Sequence, residues 1–147
     1  MKHKVLKIIG GGVLLFGLIQ LVPCGRSHTN PPVTGEPAWD SPQTRALAKR
    51  ACFDCHSNET TWPWYSNVAP ISWFLQGHVD DGREALDFSE WDASKPRKSA
   101  KKAAREVERG DMPLSTYLWM HPDARLSADE KAALVKGLTA TFGTNAR

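Results

Sequence analysis

Cysteine is scarce: there are three in 147 residues, and two of them, Cys52 and Cys55, are close neighbours. A structural zinc centre takes four Cys or His ligands, usually as two pairs, so Cys24, alone far upstream, cannot complete one. Tyrosine is also rare, two against six Trp and five Phe. That gives one small domain an indole-rich core, which a flat apolar cofactor would help to fill. No alternating apolar–polar run of strand length occurs and no internal repeat is visible, which excludes a sheet architecture and points to an all-α fold. Excess positive charge is missing outside the first 22 residues. These hold Lys2, Lys4 and Lys7 with no acid, whereas the remainder carries 16 basic and 16 acidic side chains. The net charge of +3 is therefore an addressing signal, and nucleic acid is excluded as a partner.

What is present is concentrated in Cys52-Phe53-Asp54-Cys55-His56. Two thiols three positions apart can each add to a vinyl group of one porphyrin. The adjoining imidazole then faces the iron as the proximal axial ligand. This Cys-x-x-Cys-His string points to one covalently attached haem c. A thioredoxin-type dithiol competes for the same residues, but it would follow a buried strand, and the residues before Cys52 carry helical periodicity. A plain disulfide or a chance match are the bland alternatives.

The N-terminus supplies an address. Lysines precede an apolar run from Ile8 to Val22 whose only other members are four glycines and Gln20. That order leaves the N-terminus in the cytoplasm and sends the rest outward. No small-x-small cleavage site follows, and Val5 to Val22 is about the minimum for a spanning helix, which favours an uncleaved single-pass anchor over a cleaved signal. Leu21-Val22-Pro23-Cys24 resembles a lipoprotein box, except that Pro23 stands where a small residue belongs. Haem c is attached outside the bacterial cytoplasmic membrane, so the address and the motif agree. The chain divides into a membrane anchor or signal segment (1–24), a proline-containing tether (25–42) in which His28 is expected to be solvated, and a haem-binding domain (43–147).

Within that domain Ser41 and Pro42 predict a helix start, with Ala48, Cys52 and Cys55 on one face and the motif on the last turn. Further helices are expected from about Ser72 to Leu86 and Lys98 to Arg109. A last one begins at the capping box Ser127-Ala128-Asp129-Glu130 and stops at Gly143. The second axial position separates electron transfer from ligand binding. Met112, on the stiff loop Gly110-Asp111-Met112-Pro113, is the first candidate distal ligand, as in small class I cytochromes c, with His121, His78 and Met120 as alternatives. Trp62, Trp64, Trp73, Trp91 and Trp119 are expected to wall the porphyrin and build the core.

These residues together resemble the bacterial haem-binding domain family. The resemblance runs from Asn30-Pro31-Pro32-Val33 to about Phe142 and includes Cys52 through Thr60, Trp62-Pro63-Trp64-Tyr65-Ser66, Ala69-Pro70, Ser72-Trp73, Gly82-Arg83, Phe88-Ser89-Glu90-Trp91, Gly110-Asp111-Met112-Pro113 and Met120-His121-Pro122. It implies haem c on Cys52 and Cys55, His56 as proximal ligand, and a membrane-tethered or secreted bacterial domain. The expectation is a small cytochrome-c-like helical domain behind one N-terminal membrane helix. It would sit on the periplasmic side of the inner membrane, passing single electrons to redox proteins there. The alternatives are a small-ligand sensor or peroxide-handling domain with an open sixth site and, last, a thiol–disulfide protein.

Overall fold

The structure, a computed structural model, describes residues 1–92 and 98–143. Residues 93–97 and 144–147, inside the expected 43–147 domain, lie outside the described residues. The described residues contain α1 (Lys2–Ile19), α2 (Pro42–Ala51), α3 (Phe53–His56), α4 (Ile71–Ala85), α5 (Ala100–Arg109), α6 (Ser115–Met120) and α7 (Ala128–Phe142). Short 3-10 turns span Trp64–Asn67 and Pro122–Ala124. No strand forms among them, and a lone parallel bridge joins Gly35 and Glu90. The all-α expectation is met. Two compact units result: Met1–Thr29 with Trp62–His78, and Asn30–Thr61 with the chain from Val79 onward.

The second unit is built around α2, α5 and α7. Ser41 caps α2 by accepting from the Thr44 amide (3.2 Å), and Pro42 occupies the first turn, where its missing N–H costs nothing. Ser127 and Glu130 form the capping box of α7 reciprocally. These two helices touch where Gly137 is buried, since a Cβ there would lie 2.0 Å from Thr44 Oγ1. Arg50 pairs with Glu130 at 2.7 Å beside the crossing. Phe53 and Phe88, each 2 % exposed, stack at 5.6 Å and form the core with Leu47, Leu134 and Leu138. Burying each ring contributes about 1.5–3 kcal/mol. Trp39 (5.2 Å) and Phe142 (6.1 Å) close over Phe88.

The segment read from its prolines as a tether is fastened to this unit from Asn30 onward. Thr34 N–H donates to Ser89 O (2.9 Å), Trp91 N–H to Gly35 O (3.0 Å), and Arg45 grips both carboxylate oxygens of Glu36 (2.6 and 2.7 Å).

Three expectations need correction. The helix carrying the motif is not continuous: Cys52 (φ −128°, ψ −32°) breaks it, and α3 restarts one residue on. Trp91 packs against the core as expected, but not all five expected tryptophans are covered. Trp64 and Trp119 are 78 % and 76 % exposed, because each sits on a short element that turns other residues inward or none at all. Finally, no helix among the described residues is long and apolar enough to cross a membrane. Lys2, Lys4 and Lys7 occupy the first turns of α1, which ends at Ile19. Its charge-free part, Ile8 to Ile19, is about 18 Å long at 1.5 Å per residue, against about 30 Å of bilayer hydrocarbon.

Candidate functional site

The Cys-x-x-Cys-His string lies where α2 gives way to α3. Cys52 N–H still bonds Ala48 O (2.8 Å), and Cys52 O then accepts from His56 N–H (2.9 Å), so the five residues form one hydrogen-bonded turn. Phe53 points into the core and anchors the turn from below. Asp54 anchors it from the side. Its Oδ1 accepts from the Thr61 amide (2.9 Å) and its Oδ2 from the Tyr117 hydroxyl (2.7 Å). Burial and that bond to a carboxylate together push the Tyr117 phenol well above its ordinary pKa. Arg83 braces the loop that follows, donating through Nε to Ser57 O (2.9 Å) and through Nη2 to Thr60 Oγ1 (3.0 Å). Its guanidinium is thus spent on the protein.

His56 carries the decisive geometry. Its Nδ1 lies 2.9 Å from Gly82 O and 3.0 Å from Leu86 O. Both partners are carbonyls, which only accept, so Nδ1 bears the proton and Nε2 keeps its lone pair. An imidazole with its remote N–H held by backbone carbonyls is oriented, as a metal-ligating histidine requires. The close approach of α4 that makes this possible depends on Gly82. It is buried, and a Cβ on it would fall 2.3 Å from Cys55 O.

His56 opens onto a cleft of about 220 Å³. Cys52 lines it, with Ala51 and Ala85 leaving room, Leu86, Phe88, Val107 and Leu138 forming apolar walls, and Met112 with Pro113 contributing as well. Met112 reaches the cleft because α5 ends at Gly110 in the left-handed conformation (φ 82°), a geometry that favours glycine. The Asp111 and Met112 amides turn back onto Glu106 O at 2.9 and 3.1 Å. The structure thus gathers Cys52, His56 and Met112 around one apolar space, with Cys55 on the same turn. Met120 is 60 % exposed, and neither it nor His121 is among the lining residues. His121 stacks on Tyr117 (4.0 Å) and faces Tyr117 O through Nδ1 (3.0 Å). His78 belongs to the first unit, its Nδ1 2.9 Å from Phe74 O.

Both motif thiols are free of disulfide. Burial pushes the Cys52 thiol up to about 12, with a smaller contribution from Cys55. Burial, then the Asp54 charge, push Cys55 up to about 11 against the opposing pull of Arg83. The Cys52 thiol in the cleft wall, an oriented imidazole and a thioether, with Ser99, Lys102 and Glu106 as the polar part of the lining, form a donor set that fits a porphyrin iron.

Three parts of this site have no signature in the motif: the Gly82 and Leu86 carbonyls, the Asp54–Tyr117 bond and the bracing by Arg83. Gly82, an isolated glycine inside a helical pattern, and its neighbour Arg83, through the Gly82-Arg83 pair of the family resemblance, were the signals available.

Residues 14–140 match the family profile described as a haem-binding domain. No curated protein and no solved structure matches the chain. With a match over most of its length and a cleft furnished for a porphyrin, the protein belongs to the haem-binding domain family.

Proposed function

We propose that the protein is a one-electron carrier with a single haem c, which Cys52 and Cys55 would hold through thioether bonds and to whose iron His56 and Met112 would supply ligands. The observation that carries the reading is the His56 imidazole, fixed as the Nδ1–H tautomer by two carbonyls at the edge of a cleft that also receives Met112. The bound group supplies an iron centre that alternates between Fe(III) and Fe(II). His56 holds its orientation in either state because its restraint comes from the backbone. Met112 offers a soft sulfur that favours the reduced form relative to a second histidine. Leu86, Phe88, Val107 and Leu138 keep water from the buried face, which limits side reactions.

Attachment of haem c takes place outside the bacterial inner membrane, so the reading places the mature domain in the periplasm, with the N-terminal segment as its export address. Its partners are redox proteins of the periplasm or inner membrane. A thiol–disulfide function is disfavoured, since an attacking thiol works with a lowered pKa and both thiols here are raised.

The test is Met112→Ala in protein matured with haem. The oxidised spectrum should change from low-spin to high-spin or re-ligated while the pigment stays on the chain in a denaturing gel. An unchanged spectrum removes Met112 from the iron. Pigment that leaves the wild-type chain on denaturation overturns covalent attachment.

A further inference from the structure

The first unit is arranged with small residues inside and large apolar ones outside. Its join between α1 and the Trp62–His78 segment is polar. The Gln20 carboxamide pairs both ways with the Ala69 backbone, Nε2 to Ala69 O and Ala69 N–H to Oε1, each at 2.9 Å. Arg26 then locks Gln20 through its carbonyl (2.9 Å) and Oε1 (3.0 Å). Ser72 Oγ donates to Cys24 O (3.3 Å). Gly25 (φ +71°) lies so close to Ser72 that a Cβ would meet its carbonyl oxygen at 2.3 Å. Ser66, Ala69 and Ser72 are buried. The chain at the end of α1 is seated on this segment.

The outside is the reverse. α1 buries no residue. Trp64, Ile71 and Phe74 on the docked segment are 78 %, 44 % and 54 % exposed, and Leu21, just after α1, is 77 % exposed. A water-facing surface of this kind is costly, whereas in contact with lipid it is the expected pattern. Charge points the same way. Residues 1–29 contain no Asp or Glu, and 62–78 contain no Asp, Glu, Lys or Arg, so the formally charged side chains of the unit are the cations Lys2, Lys4, Lys7 and Arg26. Such a balance suits an anionic lipid surface. A protein groove would cover a stripe; α1 is apolar around its whole circumference along the glycine-containing stretch from Ile8 to Ile19.

We propose that the first unit as a whole binds a lipid surface, with Trp64, Ile71 and Phe74 entering it beside α1. Because α1 alone is too short to span, the added side chains widen a footprint within one leaflet. The inference rests on export of the chain with α1 retained.

Full-length holoprotein, its intact mass checked for α1, would be mixed with vesicles of phosphatidylethanolamine and phosphatidylglycerol carrying a diazirine-bearing phospholipid. After illumination, adducts are mapped by peptide mass spectrometry. Adducts are expected on α1 and on Trp64, Ile71 and Phe74. The double variant Trp64→Ser, Phe74→Ser should lose most labelling of 62–78 while keeping the α1 adducts and the haem absorbance. Adducts on α1 alone overturn the inference and leave the electron-carrier reading intact. Labelling of exposed Trp119, which lies outside this unit, as strong as that of Trp64 also overturns it, as does a mature mass lacking α1. Absent covalent haem in the same sample defeats the electron-carrier reading independently of where the lipid labels fall.

Discussion

Replacing Gly82 with alanine tests the link between fold and ligand most directly. The added Cβ would sit 2.3 Å from Cys55 O and 2.9 Å from Cys55 C, where ordinary contact begins near 3.4 Å. The obstacle is backbone on both sides, so α4 must retreat by about 1 Å. Overpacking of this kind costs about 2–3 kcal/mol, and the better helix propensity of alanine returns roughly 1 kcal/mol. A net loss of about 1–2 kcal/mol corresponds to a fall in Tm of roughly 4–16 °C for a domain of this size. The same retreat draws Gly82 O away from His56 Nδ1, leaving Leu86 O as the main acceptor. On the proposed ligation, weakening that bond by about 0.5–1.5 kcal/mol would make the imidazole a poorer donor to Fe(III). The midpoint potential should rise by about 20–60 mV, at 59 mV per tenfold for one electron. Thermal melts and spectroelectrochemical titration of the holoprotein measure both quantities. Gly77→Ala is the control: it lies in the same helix with nothing within 4 Å of its Cβ, and should gain up to about 1 kcal/mol with no change in potential. A Gly82→Ala protein that melts no lower than wild type at an unaltered potential refutes the argument.

Gly137→Ala should destabilise by about 1–3 kcal/mol in denaturant titration, because its Cβ meets Thr44 at the α2–α7 crossing; adding Thr44→Ala should recover part of the loss, and independent, additive effects would contradict the contact. Glu36 is held below the usual carboxylate range chiefly by its hydrogen bond from Arg45. Its stabilisation should be present in full at neutral pH, decline as pH drops below about 4.5, and vanish once the folded-state carboxyl is protonated. The stability gap between wild type and Glu36→Gln should accordingly close on acidification, and a gap constant from pH 7 to pH 3 would exclude the pairing as its source.

Helix ends were legible wherever a side chain makes the cap: Ser41 with Pro42 for α2, Ser127 with Glu130 for α7, Gly110 and Gly143 at the stops. α6 was not, since its six residues bury nothing and carry no side-chain cap, leaving no period to detect. The motif singled out His56 and the flanking Gly110 and Pro113 singled out Met112, and the fold brings both to one cleft. What holds the histidine was hidden, because carbonyl acceptors belong to every residue alike. The tryptophans misled for a related reason. Indole content signals apolar surface but not which side of the chain it faces, and Trp39, absent from the expected wall, is the one that closes over Phe53 and Phe88.

The two oxygens that restrain His56 belong to residues at and just beyond the final turn of α4, which stops at Ala85. A helix presents its negative pole there, equivalent to about half an elementary charge. If the proposed haem is held there, the termination of α4 would bias its iron toward the oxidised state, in opposition to the Met112 thioether. On the proposed electron-carrier function, lengthening or fraying that last turn would alter the driving force for electron exchange without touching His56 or Met112.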